Sequence, residues 1–458
     1  MTKIEKLIEF GFYLFIFLLP WQTRLIWQEA YLNGFVWEYG RASLYGTELF
    51  LWLVLWFYGF WVFAGRHLKR INFRQILNRL KKPPVLIYWL VILFLLLAGL
   101  SVVWSLNSQL AYWRWFTLIE GVTLFSLISV FDFKLEKIAK SWVASAAIQG
   151  VFGIWQFFSQ YVFPNKWLGL AEHLPNVGGS IILQTDSERW LRAYGSFPHP
   201  NILGGFLAIG LLFLFYLAFI AQKSRQRFFV LAGLVCIAPA LFFSFSRSAW
   251  LALIFSLIAL GLVIYQKRDL VLKKIFLKIS LLIFIIFAVL GTIFWAPLIT
   301  RISGEQDLEV ASIYLRVAFT QQAWQLISAN PWQGTGIGNY TLGVFEKINA
   351  GWPGYYYQPV HNIYFLVLAE LGIFGALVFG LMLVLLVYQL VKHAGASRPA
   401  RLGEAGDSRR PLRIIIVLLC LFLVLFISLV DHYFWTLWTG VMIFWIILGL
   451  NLKQLERK

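Results

Sequence analysis

The 458-residue sequence has little charge and little sulfur. Only 13% of its residues are Asp, Glu, Lys or Arg, whereas 60% are hydrophobic, and the mean hydropathy is +0.74. This balance excludes an ordinary soluble domain and is typical of a polytopic membrane protein. The two cysteines, Cys236 and Cys420, lie inside apolar runs, so neither a disulfide framework nor a cysteine metal cluster is indicated.

Apolar runs long enough to cross a bilayer, roughly 17–25 residues each, are the dominant feature. They predict an all-α, polytopic membrane protein with about twelve transmembrane helices and no cleavable signal peptide. The boundary between the seventh and eighth runs, at 245–248, is the least defined. The predicted spans lie near 8–22, 44–64, 84–104, 111–131, 141–163, 201–221, 228–245, 248–265, 277–297, 361–391, 412–430 and 433–451.

Lysine and arginine are distributed unevenly over the loops. With twelve spans, alternate loops and both chain ends hold 29 of the 39 basic residues, and the opposite loops hold the other ten. The positive-inside rule therefore predicts that both termini lie in the cytoplasm and that the protein lies in the cytoplasmic (inner) membrane. The formal net charge of +18 reflects this asymmetry and an attraction to anionic lipid, and we predict no nucleic-acid partner.

The chain reads as a single membrane domain over residues 1–458. Its longest polar segment, 298–360, falls on the outer (periplasmic) face and is long enough to form a small helical cap. The segment 393–411 is rich in Ala, Gly, Ser and Arg, which predicts a flexible cytoplasmic linker.

Polar clusters gather on the predicted outer side. The first is the segment 192–201, in which two prolines flank His199 and prevent helix formation, while Asn201 can cap the helix that follows. The second is the segment 244–249, where Arg247 stands between two apolar runs.

The other two clusters lie in the second half of the chain. One combines Arg316 with the glycine-rich turn region 330–340. The other is His361-Asn362, followed after nine residues by the segment Gly372–Gly375, at the head of a long apolar run. Histidine is the side chain best suited to move a proton near neutral pH, so His361 is the strongest single lead to function.

Together these clusters resemble the O-antigen ligase and polymerase superfamily of bacterial envelope glycosyltransferases. The matching segments are 192–201, Ser246-Arg247-Ser248, 330–340, and 361–375. The last fits the ligase-type pattern of His, then Asn, Ser or Gln, nine residues, Gly, two residues, and a small or aromatic residue. The resemblance covers most of 100–450 in topology, and its motifs lie between about 190 and 375.

The resemblance implies a GT-C-like fold and an O-antigen ligase-like activity in lipopolysaccharide or polysaccharide biosynthesis. Such enzymes move a glycan from undecaprenyl diphosphate to a hydroxyl of a glycan, a lipid A–core or a protein acceptor, without a metal or other cofactor. A polymerase or a protein O-oligosaccharyltransferase of the same superfamily is the alternative. The spacing from Arg192 to Gly204 exceeds the polymerase pattern by one residue, which favours a ligase.

A lipid-linked glycan transporter is a more distant alternative. Transporters usually carry related halves and polar groups near the membrane midplane. Here no half-repeat is visible, and the polar residues cluster at one face.

The chemistry of the implied reaction suggests roles for the basic residues. A departing lipid diphosphate carries concentrated negative charge, and guanidinium groups bind phosphate oxygens bidentately while staying charged. We therefore predict Arg192 and Arg247, with Arg316 as the third choice, as the diphosphate clamp. His361 is the predicted general base that takes the proton of the acceptor hydroxyl.

Purely structural roles compete with these functional ones. Arg192 could pair with Glu188, Arg316 could pair with Glu309, and Arg247 could simply extend to the membrane interface.

Supporting roles are predicted for His199, Asn201, Asn362, Glu370 and Asp431. Glu370 follows His361 by nine residues, about 13 Å deeper along a helix. It is expected to be a buried partner of an arginine or a protonated carboxyl in a hydrogen-bond network. The pair Asp431-His432, at the turn between the last two spans, either lines the site or ties the turn.

Overall fold

The computed structural model describes residues 2–64, 83–266, 269–396 and 410–456, and helices dominate these ranges. The helices are α1 (Lys3–Leu18), α2 (Gly46–Ala64), α3 (Pro83–Leu100), α4 (Ser108–Val130), α5 (Leu135–Ser159), α6 (Pro200–Ile220), α7 (Ser224–Phe243), α8 (Arg247–Gln266), α9 (Leu270–Ile293), α10 (Trp295–Ser303), α11 (Asp307–Ala329), α12 (Tyr340–Lys347), α13 (Ile363–Ala396), α14 (Arg410–Ile427), α15 (Tyr433–Thr436) and α16 (Trp438–Glu456).

Each predicted span overlaps one of the long helices, so the prediction of an all-α, polytopic membrane protein is confirmed. By length and composition, seven described helices can cross a membrane, namely α2, α6, α7, α8, α9, α13 and α16. The apolar parts of α3 and α14 are shorter. By the same measure α1 is too short, and α4 and α5 are too polar. Most of the predicted linker 393–411 lies outside the described residues.

Short hairpins occupy two of the loops, which the sequence analysis did not predict. Strands β1 (Arg24–Gln28) and β4 (Ala42–Tyr45) pair antiparallel, and β2 (Tyr31–Leu32) pairs with β3 (Phe35–Val36). Strands β5 (Ile182–Gln184) and β6 (Arg189–Leu191) form a further hairpin. The turn between β2 and β3 is Asn33-Gly34, both with positive φ, which is the type I′ geometry that favours this dipeptide.

The centre of the bundle is α6, whose apolar window is completely buried by its neighbours. Because consecutive long helices alternate in direction, the first residues of α6, α8 and α13 lie at the same end as the last residues of α7, α9 and α14. We call this end the site face. Contacts between Lys137 and Glu9 (2.8 Å) and between Tyr88 and Glu456 (3.1 Å) place both chain ends at the opposite end.

Helix α13 is interrupted at Gly372, where φ is 65° and ψ is −171°. The turn at 330–339 fills the interruption with its own backbone. The amide of Thr335 donates to the carbonyl of Ala369 (2.9 Å), and the amide of Ile373 donates to the carbonyl of Pro331 (2.9 Å). The backbone groups freed by the break are therefore satisfied inside the protein, as a membrane helix requires. The glycine-rich turn thus docks onto a broken membrane helix, which the sequence analysis did not foresee.

We predict that Gly372→Ala destabilises the protein. A β-carbon at Gly372 would lie 2.1 Å from the carbonyl oxygen of Trp332, and the backbone conformation is one that only glycine adopts readily. The conformational strain alone costs about 1–3 kcal/mol, so the thermal unfolding midpoint in lipid nanodiscs should fall. Gly380→Ala, in the same helix with nothing within 4 Å of the added carbon, is the matched control. Equal midpoints for the two variants would contradict this account of the break.

Candidate functional site

Two buried arginines are held by the turn between α7 and α8. The Nε of Arg192 donates to the carbonyl of Ser244 (2.8 Å), and the Nε of Arg301 donates to the carbonyl of Phe245 (2.9 Å). The last carbonyls of a helix lack partners within the helix, so they are natural acceptors for arginine. Phe245 has a positive φ of 46°, which turns the chain sharply between the two helices.

Glu309 is the carboxylate of this arginine group. Both of its oxygens lie 2.6 Å from a terminal nitrogen of Arg301, and one lies 3.3 Å from Arg247. Arg247 also donates to the carbonyl of Arg301 (3.2 Å). The alternative that Glu309 pairs with Arg316 is therefore not observed. Arg301, which was not predicted as a site residue, is 5% exposed and anchors the group.

Arg316 differs from the other arginines of the group. Its side chain is half-buried on α11, and within the described residues it has no hydrogen-bond or ion-pair partner. Its positive charge lowers the pKa of His361, and it precedes by about one helical turn Phe319, whose ring stacks on His361. Arg316 is thus a cation available to an anionic ligand beside His361.

A buried hydrogen-bond chain joins Arg192 to the loop after α14. A terminal nitrogen of Arg192 donates to Asn201 Oδ1 (2.8 Å), and Asn201 Nδ2 donates to Asp431 Oδ2 (3.0 Å). The alternative pairing of Arg192 with Glu188 is therefore not observed. Asn201 does not cap α6 either, because His199 is the N-cap and its Nδ1 accepts from the Asn201 amide (3.0 Å).

His361 lies between two rings at the site face. The Phe319 ring is parallel to it, with centroids 5.8 Å apart, and the edge of His432 approaches it at 5.0 Å. The Nδ1 of His361 is buried without a hydrogen-bond partner. Its Nε2 also has no partner among the described residues, but it is not among the buried atoms. Packing therefore orients the ring, and Nε2 is the nitrogen that a substrate can reach.

The electrostatics of this cluster keep its imidazoles neutral. Burial lowers the pKa of His361, and the charge of Arg316 adds to that effect against the opposing carboxylate of Asp431. Burial likewise lowers the pKa of His199 and of His432, each to about 3. Burial raises the pKa of Asp431, but the neighbouring histidines, His432 first, and its bond to Asn201 outweigh burial, so the net pKa is lowered.

Asn362 and Glu370 make hydrogen bonds that hold neighbouring segments in place. Asn362 Oδ1 accepts from the amide of Tyr364 (2.9 Å), and its Nδ2 donates to the carbonyl of Leu429 (3.0 Å). These bonds cap α13 and fix His361 relative to the end of α14. Glu370 accepts from the indole of Trp435 (2.9 Å), which agrees with a role in a hydrogen-bond network rather than an arginine pair.

The sequence analysis missed Arg301 as a member of the site, and it left open whether His432 lines the site or ties the turn. His432 directly follows Asp431, and its Nδ1 lies 2.7 Å from the hydroxyl of Thr436. Both residues belong to the predicted outer loops, but their contacts come from segments far away in the sequence. In the part of the chain that the structure describes, no group of three or more His, Cys, Asp or Glu is arranged to hold a metal ion.

Residues 232–380 match the family model described as O-antigen ligase. This range includes Arg247, Arg301, Arg316 and His361, whereas Arg192 and Asp431 lie outside it. No curated protein matches the chain. The match confirms the resemblance that the sequence motifs indicated.

We predict that Glu309→Gln lowers stability by roughly 3–5 kcal/mol, the usual result of leaving a buried charge uncompensated. The change removes the carboxylate that pairs with the buried guanidinium of Arg301. Asp307→Asn, which changes an exposed carboxylate two residues earlier on α11, is the matched control and should leave the unfolding midpoint unchanged. Thermal unfolding in nanodiscs measures both. If Glu309→Gln unfolds at the wild-type temperature, Glu309 does not have the pairing role assigned to it.

Proposed function

The chain carries a domain of the O-antigen ligase type, and from that premise we propose that it transfers a glycan from a polyprenyl-diphosphate carrier to a hydroxyl acceptor. One observation carries this proposal. His361 presents an accessible ring nitrogen without a partner, next to Arg316, a guanidinium that is also without one in the described structure. A proton acceptor beside an unpaired cation is what a reaction with a hydroxyl nucleophile and an anionic leaving group needs.

The arginine group supplies the leaving-group side. The group contains four guanidiniums, those of Arg192, Arg247, Arg301 and Arg316, and two of them, Arg247 and Arg301, pair with the carboxylate of Glu309. Arg192 and Arg301 are almost fully buried and bonded to carbonyls, so they orient the group and contribute charge. Arg247, whose side chain is 30% exposed, and Arg316 are the ones that contact the diphosphate. This refines the predicted clamp, in which Arg192 was a direct ligand.

The residues of the site account for each bond and each proton of the proposed reaction. The acceptor hydroxyl oxygen attacks the anomeric carbon of the donor sugar, and the bond from that carbon to the diphosphate oxygen breaks. The hydroxyl proton passes to Nε2 of His361, and the electron pair leaves with the diphosphate toward Arg247 and Arg316. Because the pKa of His361 is lowered, the ring is in its base form at neutral pH.

The membrane setting supplies the rest of the proposal. The uneven distribution of basic residues supports an inner-membrane protein with cytoplasmic termini and a periplasmic site face. Undecaprenyl diphosphate is the proposed carrier, and no metal takes part in the proposed reaction. The break in α13 is filled by backbone from the 330–339 turn, which gives little support to a transporter.

Reconstituted transfer tests the proposal. His361→Gln and Arg316→Ala should each slow transfer from an undecaprenyl-diphosphate glycan by roughly 10²–10⁴-fold, the range typical of a lost base or charge stabiliser. Neither should lower the unfolding midpoint much, because neither side chain has a hydrogen-bond partner in the described residues. Arg189→Ala, an exposed arginine on the same face, is the control.

The products and the conditions of the same assay separate the alternatives. A ladder of chain lengths indicates a polymerase, and a single addition to a lipid A–core or a protein indicates a ligase or a protein transferase. Transfer should persist in a chelator. Wild-type rates for both variants would remove the catalytic role of these residues.

The pH profile of transfer gives a separate prediction. A base whose pKa lies below the ordinary 6.5 is more than half deprotonated at that pH. The acidic limb of the rate, along which His361 takes up a proton, should therefore be centred below pH 6.5. The residual activity of His361→Gln should lack this decline. An acidic limb centred above pH 7 would contradict the lowered pKa.

A further inference from the structure

A second cleft opens at the site face, between the β1–β4 hairpin, the start of α4 and the start of α16. Its enclosed part measures about 130 Å³. Pockets for drug-sized ligands run to about 300–1,000 Å³. This cleft therefore has room for only one small, ring-sized part of a larger ligand.

Aromatic rings form much of its wall. Trp27 lies against Trp113, with centroids 5.1 Å apart, and Tyr45 stacks on Trp438 at 5.5 Å and an interplanar angle of 17°. Indole and phenol rings offer flat apolar faces together with polar edges. A sugar ring has the complementary character, with apolar C–H faces and hydroxyls around its edge.

The part of the wall formed by Trp438, Trp52 and the backbone of Tyr45 is fixed before any ligand arrives. Glu120, which is 3% exposed, accepts from the indole of Trp438 (2.9 Å) and also from the indole of Trp52. Glu48 accepts from the amide of Tyr45 (3.1 Å). A wall that is already ordered lowers the conformational-entropy cost of binding.

The rim of the cleft has its charges already paired. Arg24 bonds to Glu38 (2.7 Å), and Arg41 bonds to both Glu38 and Glu29 (2.7 Å each). Arg114, at the inner end, donates to the carbonyl of Thr436 (2.6 Å). The cleft thus differs from the arginine group, where Glu309 pairs with Arg247 and Arg301 and leaves Arg316 unpaired in the described residues, and it fits an uncharged ligand better than a phosphate.

The inner end of the cleft borders the histidine cluster that contains His361 and His432. The Tyr39 ring meets the edge of His432 at 6.0 Å, and His432 in turn meets His361 at 5.0 Å. Thr436, whose carbonyl holds Arg114, also bonds through its hydroxyl to His432. A sugar held in the cleft is therefore separated from the proposed base by the rings of Tyr39 and His432.

We propose that this cleft binds an uncharged sugar unit of the acceptor, whose hydroxyl is then presented to His361. The assignment of this sugar to the acceptor rests on the proposed function, whereas the binding of an uncharged sugar is inferred from the cleft alone. The arginine group takes the anionic end of the donor, and the aromatic cleft takes the neutral acceptor. The observations that carry it are the fixed rings, the paired rim and the contact with the histidine cluster.

Binding can be measured on the full chain in nanodiscs by saturation-transfer NMR. The probes are soluble oligosaccharides of neutral hexoses and N-acetylhexosamines, with uronic-acid oligosaccharides as the charged arm. Trp27→Ala should weaken binding of the neutral probes roughly tenfold, as truncation of a central aromatic contact typically does. Trp27→Phe retains a ring and should recover most of the affinity. Trp167→Ala is the control, because Trp167 is 81% exposed and does not line the cleft.

Three results would overturn the sugar site. They are a wild-type chain that binds none of the neutral probes, one that prefers the uronic acids, and a Trp27→Ala variant that binds as the wild type does. Because Trp27 is 49% exposed on a hairpin, its loss should not prevent folding, and the unfolding midpoint checks this.

Transfer kinetics test the acceptor assignment separately. Trp27→Ala should raise the KM for the acceptor about tenfold while kcat and the KM for the lipid donor stay unchanged. A rise in the donor KM instead would assign the cleft to the donor glycan and overturn the proposal. If the wild type transfers nothing, the proposed function fails, and the NMR result still decides whether the cleft binds sugar.

Discussion

The carbonyl groups of Ser244 and Phe245 are the constraint on which the rest of the site depends. Several guanidiniums at the edge of a membrane repel one another and lose hydration, so each needs a fixed acceptor. The turn after α7 provides two acceptors, for Arg192 and Arg301. The turn can pack this tightly because Gly204 on α6 has no side chain, where a β-carbon would lie 2.7 Å from Ser246. The motif around Arg247 thus provides backbone acceptors for the buried arginines as well as the charge of Arg247 itself.

This constraint divides the site face into two chemically different halves. On one side, a cationic group holds a single carboxylate and leaves Arg316 without a partner in the described residues. On the other side, the ion pairs of Arg24 and Arg41 neutralise an aromatic cleft. His361 and His432 lie between the two halves and are kept neutral mainly by burial. A reaction between an anionic lipid carrier and a neutral hydroxyl needs these two environments and a base between them.

The long helices that overlap the predicted spans were predictable because those spans are largely apolar runs, and the positions of the motifs at helix ends followed from that. The turn Asn33-Gly34 was a readable hairpin signal that was overlooked. Other features could not be read from one sequence, since they depend on contacts between distant segments. Asn201 looked like a helix cap, but it accepts from Arg192, nine residues earlier, and donates to Asp431 in the loop after α14. Glu309 pairs eight residues back with Arg301 across a turn, and not with Arg316 on its own helix.

The most direct test of the account is a structure of the full chain in nanodiscs with a polyprenyl diphosphate bound. The account predicts that the diphosphate oxygens lie within hydrogen-bond distance of the guanidiniums of Arg247 and Arg316, with the prenyl chain leaving toward the bilayer and the terminal phosphate facing Nε2 of His361. A diphosphate held at the opposite end of the bundle, or one that contacts neither of these arginines, would contradict it.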